Sequence, residues 1–339
     1  MSSSTAPVFS IILPVKNGGE YLKDCVRSIL LQTVEGFNLI ILDSGSTDGT
    51  LEWLQSINDH RIKIYPAEKP LSITGNWNRI RTIPRNEWMT IIGHDDLLLP
   101  GYLETVSALI NLHPEASLYQ THFNLVDKDS RFMRNCKSMP GTMQAYELLN
   151  KMLDNEINVY GTGFMMRSSD YDRAGGIPLF PNLMSADYVL WLKMTAISYI
   201  AVDERTCFSY RVNQSTTATT KMNIYIEALK LFIDYLITSK SQLAPEEDRN
   251  SYIKRILTFY CKRVSRRLIT VPLAERNNLT VSAFLAETET YAGDLLDKGE
   301  LFNPSASFDV RIAKLIDSTA ATRKIFSLVK KIYPNPIIK

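Results

Sequence analysis

Along the first 130 residues the apolar positions switch repeatedly between a continuous run and a helical period. "FSIILPV" (9–15) is a mostly apolar stretch bounded by polar residues and reads as a buried strand, covered on both faces. Leu22, Val26, Ile29 and Leu30 then recur at helical spacing. "FNLIILD" (37–43) predicts a second strand, and a Ser-Gly-Ser-Thr-Asp turn leads into a helix marked by Leu51 and Leu54. "RIKIYPA" predicts a short third strand, "GNWNRIRTI" a helix and "EWMTIIG" a fourth strand. Beyond Pro100, Leu103, Val106 and Ile110 define one more amphipathic helix. Alternation of this kind implies an α/β chain with a mainly parallel sheet flanked by helices.

From 117 to about 212 the pattern loosens. It contains a strand, "SLYQTHFNLV", a helix near 145–153 and the Gly-rich passage "YGTGFMMRSSDYDRAGGIP". "SADYVLWLKMTAI" then reads as a helix capped by Ser185, and "SYIAVDERTCFSYRV" as two extended runs. After Thr220 the composition is helical to the end, so a domain boundary falls near 218, with a helical C-terminal extension over 219–339.

Composition narrows the classes. Thirty-eight basic against 36 acidic residues give a net charge of +2, which provides no global field for nucleic acid. Cys25, Cys136, Cys207 and Cys261 are far apart and form no C-x-x-C pair, so reduced, structural thiols are expected. The N-terminus lacks a basic n-region, and no run of 18 apolar residues occurs; "ALKLFIDYLI" carries Lys230 and Asp234. A cytoplasmic, soluble protein is the expectation.

The chemistry gathers at the strand ends, where open parallel sheets bind ligands. Strand one ends in Pro14-Val15-Lys16-Asn17-Gly18-Gly19, strand two in Asp43-Ser44-Gly45-Ser46-Thr47-Asp48, and strand four in Gly93-His94-Asp95-Asp96. Two adjacent carboxylates at a buried strand end repel each other and require something positive beside them. On one rim, Asp43 could accept from a base or ribose, and one of the paired aspartates could hold Mg²⁺ or Mn²⁺, which favour carboxylate and phosphate oxygens. Equally, Asp43 could cap its own turn, and "SGSTDGT" is an ordinary helix entry.

In order, "FSIILPVKNGGEYLKDCVRSILLQT", "LIILDSGSTDGTLEWL" and "IIGHDDLLLPGYLE" resemble the nucleotide-binding half of family 2 glycosyltransferases of the GT-A fold. The resemblance covers the first two thirds of the chain. It implies a nucleotide-sugar half over 1–130 and an acceptor half over 131–218. It also implies a nucleotide-diphosphate sugar held by Pro14, Val15, Asn17, Asp43 and Gly45, with Asn78 at the family's Arg-Asn position. Trp77 stands where that motif has arginine, and Gly93 takes the first place of the family's Asp-x-Asp-Asp stretch. Asp95 and Asp96 then match the ribose-binding and metal-binding positions, both beside a divalent cation.

Downstream, "GGIPLFPNLMSADYVLWLKM" resembles the family's Gly-Gly followed by Glu-Asp before a helix, which puts the catalytic base on Asp187 with Ala186 in the glutamate position. A carboxylate within hydrogen-bond reach of an acceptor hydroxyl makes it a competent nucleophile. Without the family context Asp187 reads as a first-turn residue favoured by the helix dipole. "YRVNQSTTATT" matches a segment where a histidine often helps hold diphosphate or metal; Asn213 stands in that place. Tyr210 could contact phosphate, and Arg211 reads as a surface-pairing residue. The implied reaction is inverting and metal-dependent, passing a sugar to a glycan or lipid-linked glycan, as in O-antigen and other bacterial surface polysaccharides.

Within 252–276, Lys254, Arg255, Lys262, Arg263, Arg266, Arg267 and Arg276 face a single acid, Glu275, opposite an apolar stripe. "RKIFSLVKKIYPNPIIK" repeats the mixture at the C-terminus. Such segments either lie peripherally on an anionic inner membrane surface or pack as a helical subdomain, against the chain itself or in a homo-oligomer. A catalytically silent nucleotide- or sugar-binding module is the competing class, on the departures at Gly93, Trp77 and Asn213. A nucleotidyltransferase or dinucleotide-dependent dehydrogenase is excluded, because "PVKNGGEYL" is neither a basic Gly-rich loop nor G-x-G-x-x-G.

Overall fold

Seven residues in a row, Phe9–Val15 (β1), are buried without exception, and so are the seven of Phe37–Asp43 (β2). These two fully buried strands of equal length pair in parallel, Phe9 opposite Phe37 and Val15 opposite Asp43, so their carboxyl ends are level. This computed structural model describes residues 8–212 and 219–332. The chain divides into two compact units, 1–218 and 219–339.

In the first unit a 10-stranded sheet runs β3-β2-β1-β4-β9-β6-β10-β5. Here β3 is Ile62–Pro66, β4 Trp88–Ile91, β5 Leu97–Leu98, β6 Leu118–Val126, β9 Phe164–Arg167 and β10 Ile200–Arg211; β7 (Phe132–Asn135) and β8 (Thr142–Met143) pair off this path. β1 to β4 are mutually parallel, and β9 enters antiparallel between β4 and β6. The fold is GT-A type, as expected. Helices α1 (Gly19–Leu30), α2 (Thr50–Gln55), α3 (Ile73–Asn78) and α4 (Tyr102–Leu112) connect the early strands, followed by α5 (Ala145–Leu153), α6 (Ser168–Arg173) and α7 (Ala186–Ile197). The inward stripe of α1, Leu22, Cys25, Val26 and Ile29, is buried. Each fully covered side chain of this kind contributes about 2 kcal/mol.

Two local expectations change. The stretch predicted as two extended runs is one 12-residue strand, β10, whose register against β6 shifts between Asp203 and Thr206 and again before Phe208. The extra residues break the in-out alternation, which is why the sequence reads as two pieces. Ser185 does not cap α7 through its side chain, because its backbone is left-handed (φ 59°) rather than extended, the conformation a capping hydroxyl requires.

The second unit is helical: α8 (Met222–Thr238), α9 (Lys240–Leu243), α10 (Arg249–Thr270), α11 (Val281–Leu295), α12 (Phe308–Asp317) and α13 (Ala320–Ile332). The apolar stripe of α10, including Ile253, Ile256, Leu257, Tyr260, Val264 and Leu268, is buried. Its basic residues are largely spent inside this unit. Lys254 pairs with Glu300, Arg255 with Glu247 and Arg266 with Asp309, and Arg276, just beyond the helix, forms a buried pair with Asp317. The partners lie outside the segment, so a local count of charges overstates its free positive field. No helix among the described residues is long and apolar enough to cross a membrane.

Candidate active site

β1 and β2 deliver their following loops to one edge of the sheet, and those loops are latched together. The Asn17 N–H donates to Ser46 Oγ and the Thr47 N–H to Asn17 Oδ1, both at 2.8 Å. Asn17 holds a left-handed backbone (φ 52°), a conformation asparagine tolerates better than most residues. Ser44 N–H returns to the Val15 carbonyl at 3.0 Å. Gly45 is required twice over: its φ is +84°, and a Cβ there would lie 3.0 Å from Pro70 Cα.

Asp43, 1% exposed, turns back on its own loop, accepting from the Gly45 and Ser46 N–H groups and from the Ser46 hydroxyl. It therefore holds the turn in shape. A carboxylate has about four lone-pair sites, so turn anchoring and ligand contact are compatible. Pro14 and Val15 are buried in the last positions of β1. Asn78 is exposed at the end of α3. The amide that ties α3 to the sheet is Asn76, which donates to the Leu42 carbonyl at 2.7 Å. Arg79 reaches the Asp43 carbonyl at 2.9 Å and that of Tyr65 at 2.6 Å. Asn76 and Arg79 escaped sequence reading, although their three-residue spacing puts them on one helix face.

At the end of β4, Asp95 and Asp96 converge on the space above Gly93. A Cβ on Gly93 would lie 2.8 Å from Asp96 Oδ2 and 3.0 Å from Asp95 Oδ1. A side chain at 93 would require one of the two carboxylates to move. Asp96 is 2% exposed, and burial pushes its carboxyl well above the usual range, with Asp95 adding to the effect. Opposing this, the Arg211 N–H donates to Asp96 Oδ1 at 2.9 Å, and the Thr162 hydroxyl bonds to Asp96 while accepting the Gly93 N–H at 3.1 Å. Among the described residues no group of three His, Cys, Asp or Glu side chains could hold a metal. Two converging carboxylate oxygens do suit Mg²⁺ or Mn²⁺, which take one or two protein carboxylates and fill the remaining positions with substrate phosphate and water.

The positive partner demanded by the adjacent aspartates includes a side chain. Arg211 is not a surface residue; it is 1% exposed at the end of β10. Its Nε donates to the Asp95 carbonyl at 2.8 Å, its Nη1 to Ser130 Oγ at 2.8 Å, and its guanidinium lies 4.4 Å from the centroid of the Tyr21 ring. Arginine is so seldom buried that residue type pointed the wrong way. Thr162 was also missed, and its setting between Gly161 and Gly163 is the signal that a close backbone approach occurs there. Gly163 has φ +72°, and a Cβ would meet the Phe208 ring at 2.8 Å. Gly163→Ala should lower stability by about 1–3 kcal/mol, read as a drop in the thermal unfolding midpoint.

Asp187, in the first turn of α7, faces the same region. A Cβ on Gly161 would touch Asp187 Cβ and the Trp77 ring edge, each at 3.8 Å, so Trp77, Gly161 and Asp187 are immediate neighbours. Tyr160 and Tyr210 stack with ring centroids 3.9 Å apart at 13°. Burial raises both phenols, and Asp96 and Asp187 raise both further. The tyrosines thus lie within electrostatic range of the strand-four pair and of Asp187, and both remain protonated hydrogen-bond donors. His94 is half-buried beside the aspartates, and Trp191 is wholly buried in α7. Cys25 lies beneath, its Sγ 3.6 Å from the Gly93 carbonyl, and all four cysteines are free thiols. Asn213 falls outside the described residues.

Loops at the carboxyl edge of a 3-2-1-4 parallel sheet, with acids just beyond strand four and at the start of a later helix, match the arrangement that the resemblance to GT-A glycosyltransferases implies. Solved structures agree on the fold. S. aureus TarS 1–349 in complex with UDP-GlcNAc aligns with 88% of this chain and 95% of its own at a TM-score of 0.55 and 14% identity. The longer TarS structure aligns with 91% of this chain and 55% of its own at a TM-score of 0.56. Residues 10–175, most of the first unit, match the sequence model of glycosyl transferase family 2, and that segment belongs to the family. An uncharacterised glycosyltransferase of Rickettsia typhi is 23% identical over 286 residues, 82% of this chain and 88% of the relative. Glycosyltransferase GlyG of Streptococcus pneumoniae serotype 4 is 26% identical over 127 residues, 37% of this chain and 42% of its own.

Proposed function

We propose that this glycosyltransferase is inverting and divalent-cation-assisted, and that it moves a sugar from a nucleotide diphosphate to a hydroxyl of a glycan or lipid-linked glycan. The reading rests on one observation: Asp95 and Asp96 converge above Gly93, and Asp187 adjoins Gly161, the neighbour of the Thr162 that ties Asp96 to Gly93. The complex of TarS with UDP-GlcNAc supports a nucleotide-sugar donor of that kind.

In this mechanism Pro14, Val15, Asn17, Asp43, Gly45 and Asn78 receive the base and ribose, and Asp95 bonds the ribose. Asp96 and Asp95 would hold the divalent cation, which when bound offsets the negative charge growing on the departing diphosphate. Tyr160 and Tyr210, kept protonated, can donate to phosphate oxygens. The acceptor oxygen forms its bond to the anomeric carbon as the bond to the diphosphate oxygen breaks. The electron pair leaves with the diphosphate, and the hydroxyl proton passes to the Asp187 carboxylate. Attack opposite the leaving group inverts the centre through an oxocarbenium-like transition state, without a covalent intermediate. Residence in the cytoplasm at the inner face of a bacterial membrane, in surface polysaccharide synthesis of the O-antigen kind, fits a lipid-linked acceptor.

Thermal unfolding in a panel of nucleotide sugars, with MnCl₂ or with EDTA, tests this. One donor should stabilise the protein by about 2.7 kcal/mol at a hundredfold excess over its Kd, and EDTA should remove most of the gain. Stabilisation without any transfer or donor hydrolysis would make the chain a silent binding module. EDTA-insensitive binding would remove the cation from the scheme.

A further inference from the structure

The helix Ala320–Ile332 (α13) differs from every other long helix in the chain in having no buried residue. Ile325, Leu328, Val329 and Ile332 are 60%, 51%, 39% and 69% exposed. They follow the i, i+3, i+4, i+7 spacing, so they form one continuous apolar stripe on a single face. Every charge on the helix is positive: Arg323, Lys324, Lys330 and Lys331. Arg323 is committed to the neighbouring helix, donating to the Asp317 carbonyl. Lys324, Lys330 and Lys331 are exposed and carry no ion pair among the described residues, and helical geometry sets Lys324 and Lys331 along one border of the stripe. The acids nearby are already taken, since Asp309 pairs with Arg266 and Asp317 with Arg276.

We propose that α13 is an anionic-membrane docking helix, seating its four apolar side chains at the boundary between headgroups and acyl chains while the lysines reach the lipid phosphates. The claim deepens the peripheral residence suggested above and assigns it to α13 rather than to α10, whose stripe is buried and whose Lys254, Arg255 and Arg266 are paired. A bilayer is favoured over a second copy because two such helices face to face would bring together six unpaired lysines with no acid between them. A narrow stripe bordered by lysines matches what an interfacial helix needs, since long basic side chains extend past the apolar boundary to the phosphates.

The full chain would be sedimented with phosphatidylcholine vesicles, with and without phosphatidylglycerol. It should bind only the anionic vesicles and be released by high salt. The triple variant Lys324→Gln, Lys330→Gln, Lys331→Gln should weaken binding about a hundredfold, and Ile325→Ser with Leu328→Ser should do likewise at unchanged charge. These positions are exposed, so unchanged circular dichroism melting should accompany both variants. Equal binding to both vesicle types, or binding indifferent to both variants, would overturn the proposal. So would a wild-type dimer by light scattering that either variant makes monomeric, since the stripe would then join two copies. None of these readouts depends on sugar transfer, so they stand or fall apart from the catalytic reading.

Discussion

Asp187→Asn abolishes transfer and leaves donor binding within about twofold of the parent. Asparagine keeps the shape of the side chain and the first turn of α7, and removes only the ability to take a proton. General-base assistance is worth about 10²–10⁴-fold, so kcat should fall by that factor while the Kd for the nucleotide sugar stays put. Isothermal calorimetry with the donor, beside a transfer assay, separates the two quantities. Parental kcat in the variant would disqualify Asp187 as the base, and a lost Kd with parental kcat would make it a donor-binding residue instead.

Arg211→Met should be the most destabilising single change in the first unit. The guanidinium is buried, its chain N–H serves Asp96, and its Nε and Nη1 bind the Asp95 carbonyl and the turn at Ser130. Methionine fills similar volume and removes the guanidinium charge that offsets Asp96. Removing one member of a buried charged set costs about 3–5 kcal/mol, measurable by urea titration. Donor affinity should fall as well, because the loop carrying Asp95 and Asp96 keeps only the main-chain bond from residue 211 to Asp96 and loses the side-chain bond to the Asp95 carbonyl. Arg211→Lys retains the charge without the planar fork and should fall between the two. Stability of the methionine variant within 0.5 kcal/mol of the parent, roughly the scatter of surface substitutions, would mean Arg211 does not hold this loop.

The parts of the fold that were readable in sequence are those decided locally. Phe9–Val15 and Phe37–Asp43 appear with the bounds their apolar runs mark out, because strands covered on both faces are mostly apolar, and the two interior exceptions, Ser10 and Asn38, are both bonded to Asn86. Helix Ala145–Leu153 likewise follows its periodicity. What escaped was decided by distant contacts. β10 is one strand because β6 pairs along its whole length, across two register shifts that scramble its alternation. Arg211 is interior because the carboxylates that need it lie 115 positions earlier in the chain. In the site, the strand-end acids were visible as motifs, whereas the crowding at Gly93 was not. The convergence of its two carboxylate neighbours over residue 93 is visible only in space.

The reciprocal bonds between Asn17 and the Ser46–Thr47 turn have a thermodynamic corollary. Loops that must freeze on capturing a ligand surrender part of the binding free energy to that ordering. Here two hydrogen bonds have already joined the two loops into one stiff ledge before any nucleotide arrives. Asn17→Ala removes the Thr47 half of that tie, and calorimetry should show a larger entropic penalty on donor binding beside any loss of contact enthalpy.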